Sequence, residues 1–202
     1  MALVDIPDGL KNPTDPKDPK YHDDIRKYLE DISGELHAAL SIKRGTGTIR
    51  VTSRLNASDT KKAVPVWVGT YEDLVVRRAR RFDPGEVRFG QSNRSKVYEE
   101  TVNDKGGGIH YRDWTTELPE KTENGYGPGQ AYGPREGFMY QLFIAIRITK
   151  DGKPQNIGTI TVGFKNKPDR TKVDPIITHW ATKGHYVEYL QKRFNLGGPI
   201  FK

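Results

Sequence analysis

Cysteine is absent from all 202 residues. That excludes disulfides, zinc–thiolate sites, iron–sulfur clusters, cysteine nucleophiles and thioether-linked chromophores. Apolar residues are also sparse, at 34%. This is low for a packed domain yet above what full disorder would suggest. No apolar run approaches the roughly 20 residues needed to cross a bilayer. The start, Met1-Ala2-Leu3-Val4-Asp5, has neither the basic region nor the long apolar region of a secretory leader. The expectation is a cytoplasmic chain without membrane, metal or cofactor.

Catalytic patterns are missing too. There is no Gly-x4-Gly-Lys-Ser/Thr loop and no Gly-x-Ser-x-Gly elbow. His179 and His185 stand six apart, a spacing that does not put two metal ligands on one helix face. No catalytic residue is assigned, and an enzyme ranks last among the functions considered.

What the chain does have is uneven charge. The net charge is +7, and residues 41–96 carry 13 basic against 5 acidic side chains. The densest part is Arg77-Arg78-Ala79-Arg80-Arg81. A cluster of this kind is either a solvated surface or an anion or nucleic-acid patch.

Pro13, Pro16 and Pro19 forbid a regular helix near the start, so residues 1–20 read as an extended Pro/Asp-rich arm. Residues 21–202 read as one domain of suitable size. Ile25, Tyr28, Leu29, Ile32, Leu36, Ala39 and Leu40 recur at helical spacing and predict a helix over 22–41. Gly34 within it suggests a close helix contact. Strands are expected at 47–55 and at 63–71, then a turn at Asp83-Pro84-Gly85-Glu86, a short helix over 92–101 and a short strand at 109–113. Residues 118–137 form a long loop rich in glycine, proline and tyrosine; loops of that length in a compact domain are usually functional. Strands over 138–149 and 157–164 follow, joined around Asp151-Gly152-Lys153-Pro154. Asp-Gly between alternating apolar residues is a strong hairpin signal. A final helix is expected over 174–194, with Gly184 breaking or bending it. The fold class is α+β, a central antiparallel sheet of about five or six strands flanked by N- and C-terminal helices.

This order of elements resembles the GAF family of small-molecule sensor domains. The residues that carry the resemblance are Phe143-Ile144-Ala145-Ile146-Arg147-Ile148, then Asp151-Gly152, then Ile157-Gly158-Thr159-Ile160-Thr161-Val162-Gly163-Phe164. The short helix around Ser95–Glu100 and the strand Ile109-His110-Tyr111-Arg112-Asp113 fit as well. Two departures matter. Asn166-Lys167 begin the signature of cyclic-nucleotide binders, but no Phe-x3-Asp-Glu follows. The bilin-linked and methionine-sulfoxide reductase members need cysteine. The segment 72–91 is also arginine-rich for the family.

The resemblance implies a small-molecule pocket on one sheet face, roofed by the short helix and the long loop. It places the terminal helices on the opposite face, where they build a homodimer. Candidate ligand residues by position are Trp67, Tyr71, His110, Tyr111, Trp114, Tyr126, Tyr132, Arg135 and Arg147. The aromatics would stack a flat molecule, and Arg135 or Arg147 would hold a carboxylate or phosphate by a bidentate fork. The expected function is a sensory domain for a small planar or anionic molecule, signalling through its terminal helices. The alternatives are a basic nucleic-acid-binding domain using Arg77, Arg78, Arg80 and Arg81 with interleaved aromatics, and a pocketless dimerising scaffold.

Overall fold

The computed structural model describes residues 19–57, 64–72, 75–77, 94–116 and 137–194. Residues 1–18 of the expected arm, the turn at Asp83–Glu86, Arg78, Arg80, Arg81 and the loop as far as residue 136 lie outside the described residues. The helix α1 runs Pro19–Ala39, followed by strands β1 Ile49–Ala57, β2 Val64–Glu72 and β3 Val75–Arg77. Helix α2, Arg94–Asn103, leads into β4, His110–Asp113. Strands β5 Tyr140–Lys150 and β6 Lys153–Phe164 come next, then helices α3 Arg170–Thr182 and α4 His185–Phe194.

The six strands form one sheet in the order β3-β2-β1-β6-β5-β4, with every described pairing antiparallel. The expected α+β architecture is present, and β5 and β6 both lie in its interior. Their connection is tighter than expected. Asp151 (φ 50°) and Gly152 (φ 71°) alone make the turn, and Lys150 pairs with Lys153. Positive φ at both central residues is the twist-matched hairpin turn that Asp-Gly favours. Pro154 therefore lies within β6, at its start, where a missing N–H matters least.

The apolar stripe of α1 is buried as expected: Leu29, Ile32 and Leu36 join Ile49, Val51, Leu142, Ile144, Ile146, Ile160 and Val162 in the main core. The helix starts three residues earlier than the stripe implies. Pro19 is its first residue, a position where proline sets φ and lacks an N–H that no partner needs. It stops at Ser41 (φ 54°), where the Ile42 N–H reaches back to the His37 carbonyl at 2.9 Å. Gly34 faces the Arg44 guanidinium, 3.6 Å from where a Cβ would stand, and not another helix.

The C-terminal helix is two helices, and it begins before Asp174-Pro175. Asp169 caps α3 by accepting from the Thr171 N–H at 3.0 Å. Pro175 sits inside α3 and removes an intrahelical bond, and the burial of Val173, Ile177, Trp180 and Ala181 carries the helix through it. Gly184 separates α3 from α4, because a Cβ there would come within 3.1 Å of the Trp180 Cα.

The three terminal helices share an aromatic seam. Tyr28 lies 5.7 Å from Tyr186, 5.1 Å from Tyr189 and 6.4 Å from Trp180, ring centre to ring centre. Trp180 Nε1 donates to Glu35 Oε2 at 3.1 Å and ties α3 to α1. Among the described side chains, the exposed positions on these helices are polar or small, among them Lys27, Glu35, Ala38, Lys172, Thr178 and His179.

Tyr186 is fully buried, and its hydroxyl bonds to the Ser53 hydroxyl of β1. Burial pushes the phenol well above its ordinary value near 10, against the smaller opposing pull of the Ser53 bond. The neutral form is thus favoured in the folded state. The resulting stability is complete below about pH 10 and is lost as pH rises above it, where the unfolded phenol ionises first. Tyr186→Phe leaves the Ser53 hydroxyl buried without its partner and should cost about 1–2 kcal/mol at neutral pH. The same variant should lose less than the parent between pH 9 and 11. Thermal melts across that range check both halves; parallel pH curves for the two proteins would refute the second.

Candidate functional site

The two faces of the sheet differ in chemistry. Along β6, Ile160, Val162 and Phe164 enter the core beneath the terminal helices, so the alternate residues Thr159, Thr161 and Gly163 belong to the opposite face. Register extends this face across the sheet. Thr161 stands opposite Thr52 of β1 and Phe143 of β5, and Thr52 stands opposite Thr70 of β2. In the row to one side, Gly163 lies between Arg50 and Gln141, and Arg50 faces Glu72. In the row to the other, Thr159 lies between Arg54 and Ala145. Val102 of α2, Phe138, Phe143 and Ala145 are buried yet stand apart from the main core. They form the small apolar patch of this second face.

Its polar groups are unusually deep. Thr159 is 0% exposed and Thr161 8% exposed, and neither hydroxyl has a hydrogen-bond partner among the described residues. The Thr52 and Thr70 hydroxyls stand 3.4 Å from each other. A buried hydroxyl without a partner costs roughly 1–3 kcal/mol, a cost that valine, of the same shape, would not carry. Arg50 is buried too. Its Nη2 meets Glu72 Oε2 at 2.9 Å, and its guanidinium carbon lies 4.1 Å over the Phe138 ring. Gly163 makes that stack possible, since a Cβ there would come within 3.0 Å of the Phe138 Cβ.

The rim of this face is built by the turn between α2 and β4. Asp104 accepts from the N–H groups of Gly106 at 2.8 Å and Gly108 at 3.3 Å, and from His110 Nε2 at 2.9 Å. The His110 bond, with the backbone bonds behind it, holds the Asp104 carboxyl below its ordinary value. Arg147 reaches across from β5. It donates to the carbonyls of Lys105 (2.7 Å), Asp104 (3.1 Å) and Gly106 (3.3 Å), and to Asn156 Oδ1 (3.0 Å). Asn156 Nδ2 donates in turn to the carbonyls of Val102 (2.8 Å) and Asp104 (3.0 Å). Gly107, at φ +69°, is required beneath this clamp, because a Cβ would sit 2.5 Å from the guanidinium carbon. Trp114 Nε1 donates to Gln141 Oε1 at 3.0 Å, and Arg112 pairs with Glu100 of α2 at 2.7 Å.

The candidates chosen by position therefore divide. His110 and Arg147 are gathered around the α2–β4 turn, whereas Trp114 stands at the other end of β4, bonded to Met139 and Gln141. Arg147 does not present an open fork to an anion: its guanidinium holds carbonyls. Tyr71 and Tyr111 lie on the other face. Tyr71 is in the main core, and Tyr111, opposite Leu142, packs against that core under Arg170, 5.0 Å from its ring. Trp67 stands opposite Arg54 in register. Arg77 belongs to the edge strand β3, opposite Thr70. Tyr126, Tyr132 and Arg135 lie outside the described residues. The threonines of β6 were not among the candidates, although Thr-Ile-Thr-Val-Gly-Phe shows them at every second position.

No family model matches the chain, and no curated protein matches it. Among solved structures it is similar to the GAF domain of a two-component sensor histidine kinase from Bacillus halodurans. That match has 15% identity, covers 76% of this chain and 90% of that one, and has a TM-score of 0.42. It is also similar to the cyanobacteriochrome receptor PixJ, with 14% identity, 86% and 99% coverage and a TM-score of 0.45. Superposition at this level carries no site residue across. The described strand order, with the terminal helices against one face of the sheet and the short α2 against the other, is the α+β arrangement expected from the sequence.

Proposed function

We propose that this chain is a sensory ligand-binding module whose small-molecule ligand lies on the sheet face opposite the terminal helices. The observation that carries the reading is the pair of buried, unmatched hydroxyls at Thr159 and Thr161. Strand pairing alone gains nothing from them, whereas a ligand with its own polar groups would satisfy them. The route to an output is short. β1 contributes Arg50, Thr52 and Arg54 to the ligand face, and between them Ser53 turns to the other side and holds Tyr186 of α4. Its register to β2 shifts at Ser53/Arg54, so ligand contacts act where the ladder is already irregular. The polar outer surfaces of α1 and α3 favour a change in how α4 is seated over an apolar dimer stripe as the output.

Thr159→Val and Thr161→Val test the reading in the ligand-free protein. Each should raise stability by about 1 kcal/mol, or roughly 2–4 °C in Tm. Melting curves of the purified variants read this directly. A fall in Tm for both would mean that the fold itself uses the hydroxyls, and the site would be abandoned.

A further inference from the structure

We infer that the ligand of this face is an uncharged molecule carrying both a hydrogen-bond donor and an acceptor, an amide or lactam ring in preference to a carboxylate or phosphate. The inference rests on the ligand site proposed above and concerns only the charge of what fills it.

The face holds three arginines, and each has at least one partner of its own. Arg50 is ion-paired with Glu72, and the pair is neutral as a unit; the Arg50 side chain is 6% exposed and that of Glu72 19%. Arg147 is committed to three carbonyls and Asn156. Arg54, beside Thr159, has partners of its own. An anion entering here would have to displace one of these contacts and lose its water as well, a penalty that grows steeply for an uncompensated charge. The Thr159 and Thr161 hydroxyls have no hydrogen-bond partner among the described residues, and on the same face Arg50 Nε and Nη1 and Arg54 Nε make no hydrogen bond there either, donors that a neutral carbonyl can meet. A threonine hydroxyl is neutral and can donate or accept. The two are two residues apart on one strand, so their Cα atoms are about 6.6 Å apart. A flat ring with an N–H on one side and a carbonyl on the other spans that interval. Phe143, opposite Thr161, and Phe138, beneath Arg50, give such a ring apolar surface to rest on.

The test uses matched probes that differ in charge and hardly in shape: benzamide with benzoate, and nicotinamide with nicotinate. Ligand-observed NMR on the whole chain reads binding, and the variants are Thr161→Val and Thr161→Ser. The expected result is contact for the neutral members alone. Binding should weaken roughly 3- to 10-fold in Thr161→Val, the equivalent of one hydrogen bond, and recover in Thr161→Ser, which restores the hydroxyl. Binding of the acids in preference to the amides, sensitive to Thr161→Val, would overturn the charge inference while leaving the site standing. Silence from every neutral probe, with the valine variants more stable than the parent, would also count against it. The site reading itself fails on a different readout, the lowered Tm of both valine variants.

Discussion

Arg50→Met should be the most damaging single change on the ligand face, with a loss of about 3–5 kcal/mol. The reason lies in what it leaves behind. Glu72 is four-fifths covered, and the guanidinium at 2.9 Å is its ion-pair partner. Removing only the cation leaves the mostly covered carboxylate without its neutralising charge. The stack of the guanidinium on Phe138 goes with it, at roughly 1 kcal/mol. Converted to temperature, the fall is on the order of 10 °C. The double variant Arg50→Met with Glu72→Leu should recover most of the loss, because an apolar pair of similar volume avoids the stranded charge. Denaturant titrations of the single and double variants form the decisive set. A single variant as stable as the parent would mean that Glu72 keeps its water, and the neutral face argued above would lose its basis.

Arg147→Met should cost about 2–4 kcal/mol and should act locally before it acts globally. The Lys105 and Gly106 carbonyls of the α2–β4 turn lose the guanidinium, the Asp104 carbonyl loses one of its donors, and Asn156 loses the contact that orients its amide. Bonds from a charged donor are each worth more than neutral ones. Arg147→Lys should not restore stability, since one ammonium cannot reproduce a planar fork that reaches three carbonyls and a side-chain amide. Gly107→Ala should give a similar phenotype from the other side, through the 2.5 Å approach to the same guanidinium and a φ of +69°. Hydrogen exchange at Gly106, Gly108 and His110 should accelerate well before global unfolding. Unchanged exchange at those amides in Arg147→Met would show that Asp104, with its own bonds to Gly106, Gly108 and His110, is sufficient to hold the turn.

What could be read from the sequence was whatever depends on near neighbours. The Asp151-Gly152 hairpin, the buried stripe of α1 and the break at Gly184 are local matters of φ, spacing and Cβ room, and all three appear. Boundaries moved where capping or proline chemistry competed with periodicity, as at Asp169 and Pro175. The site was less legible. Arg147 was a candidate for its fork, yet the fork closes on carbonyls 41 to 43 residues earlier in the chain. Tyr71 and Tyr111 had the right composition for a pocket wall, but which face a strand residue enters depends on pairing register, and register put both beneath the helices. The hydroxyls of Thr159 and Thr161 matter because of what they lack, and a missing partner is visible only once every neighbour is in place. The bond between Ser53 and Tyr186 spans 133 residues and leaves no local trace.

The strand order has a consequence for biosynthesis. β1 and β6 are adjacent in the middle of the sheet, yet Ile49 pairs with Phe164, so more than a hundred residues must leave the ribosome before β1 gains its second neighbour. Until then the early hairpin of β1 and β2 offers a bare row of amides and carbonyls to any other nascent chain. Closure of so long a loop is slow compared with formation of the β5–β6 hairpin. Assembly of the sheet is therefore expected to wait until β6 has emerged, and low growth temperature or a holding chaperone should improve recovery of the folded protein.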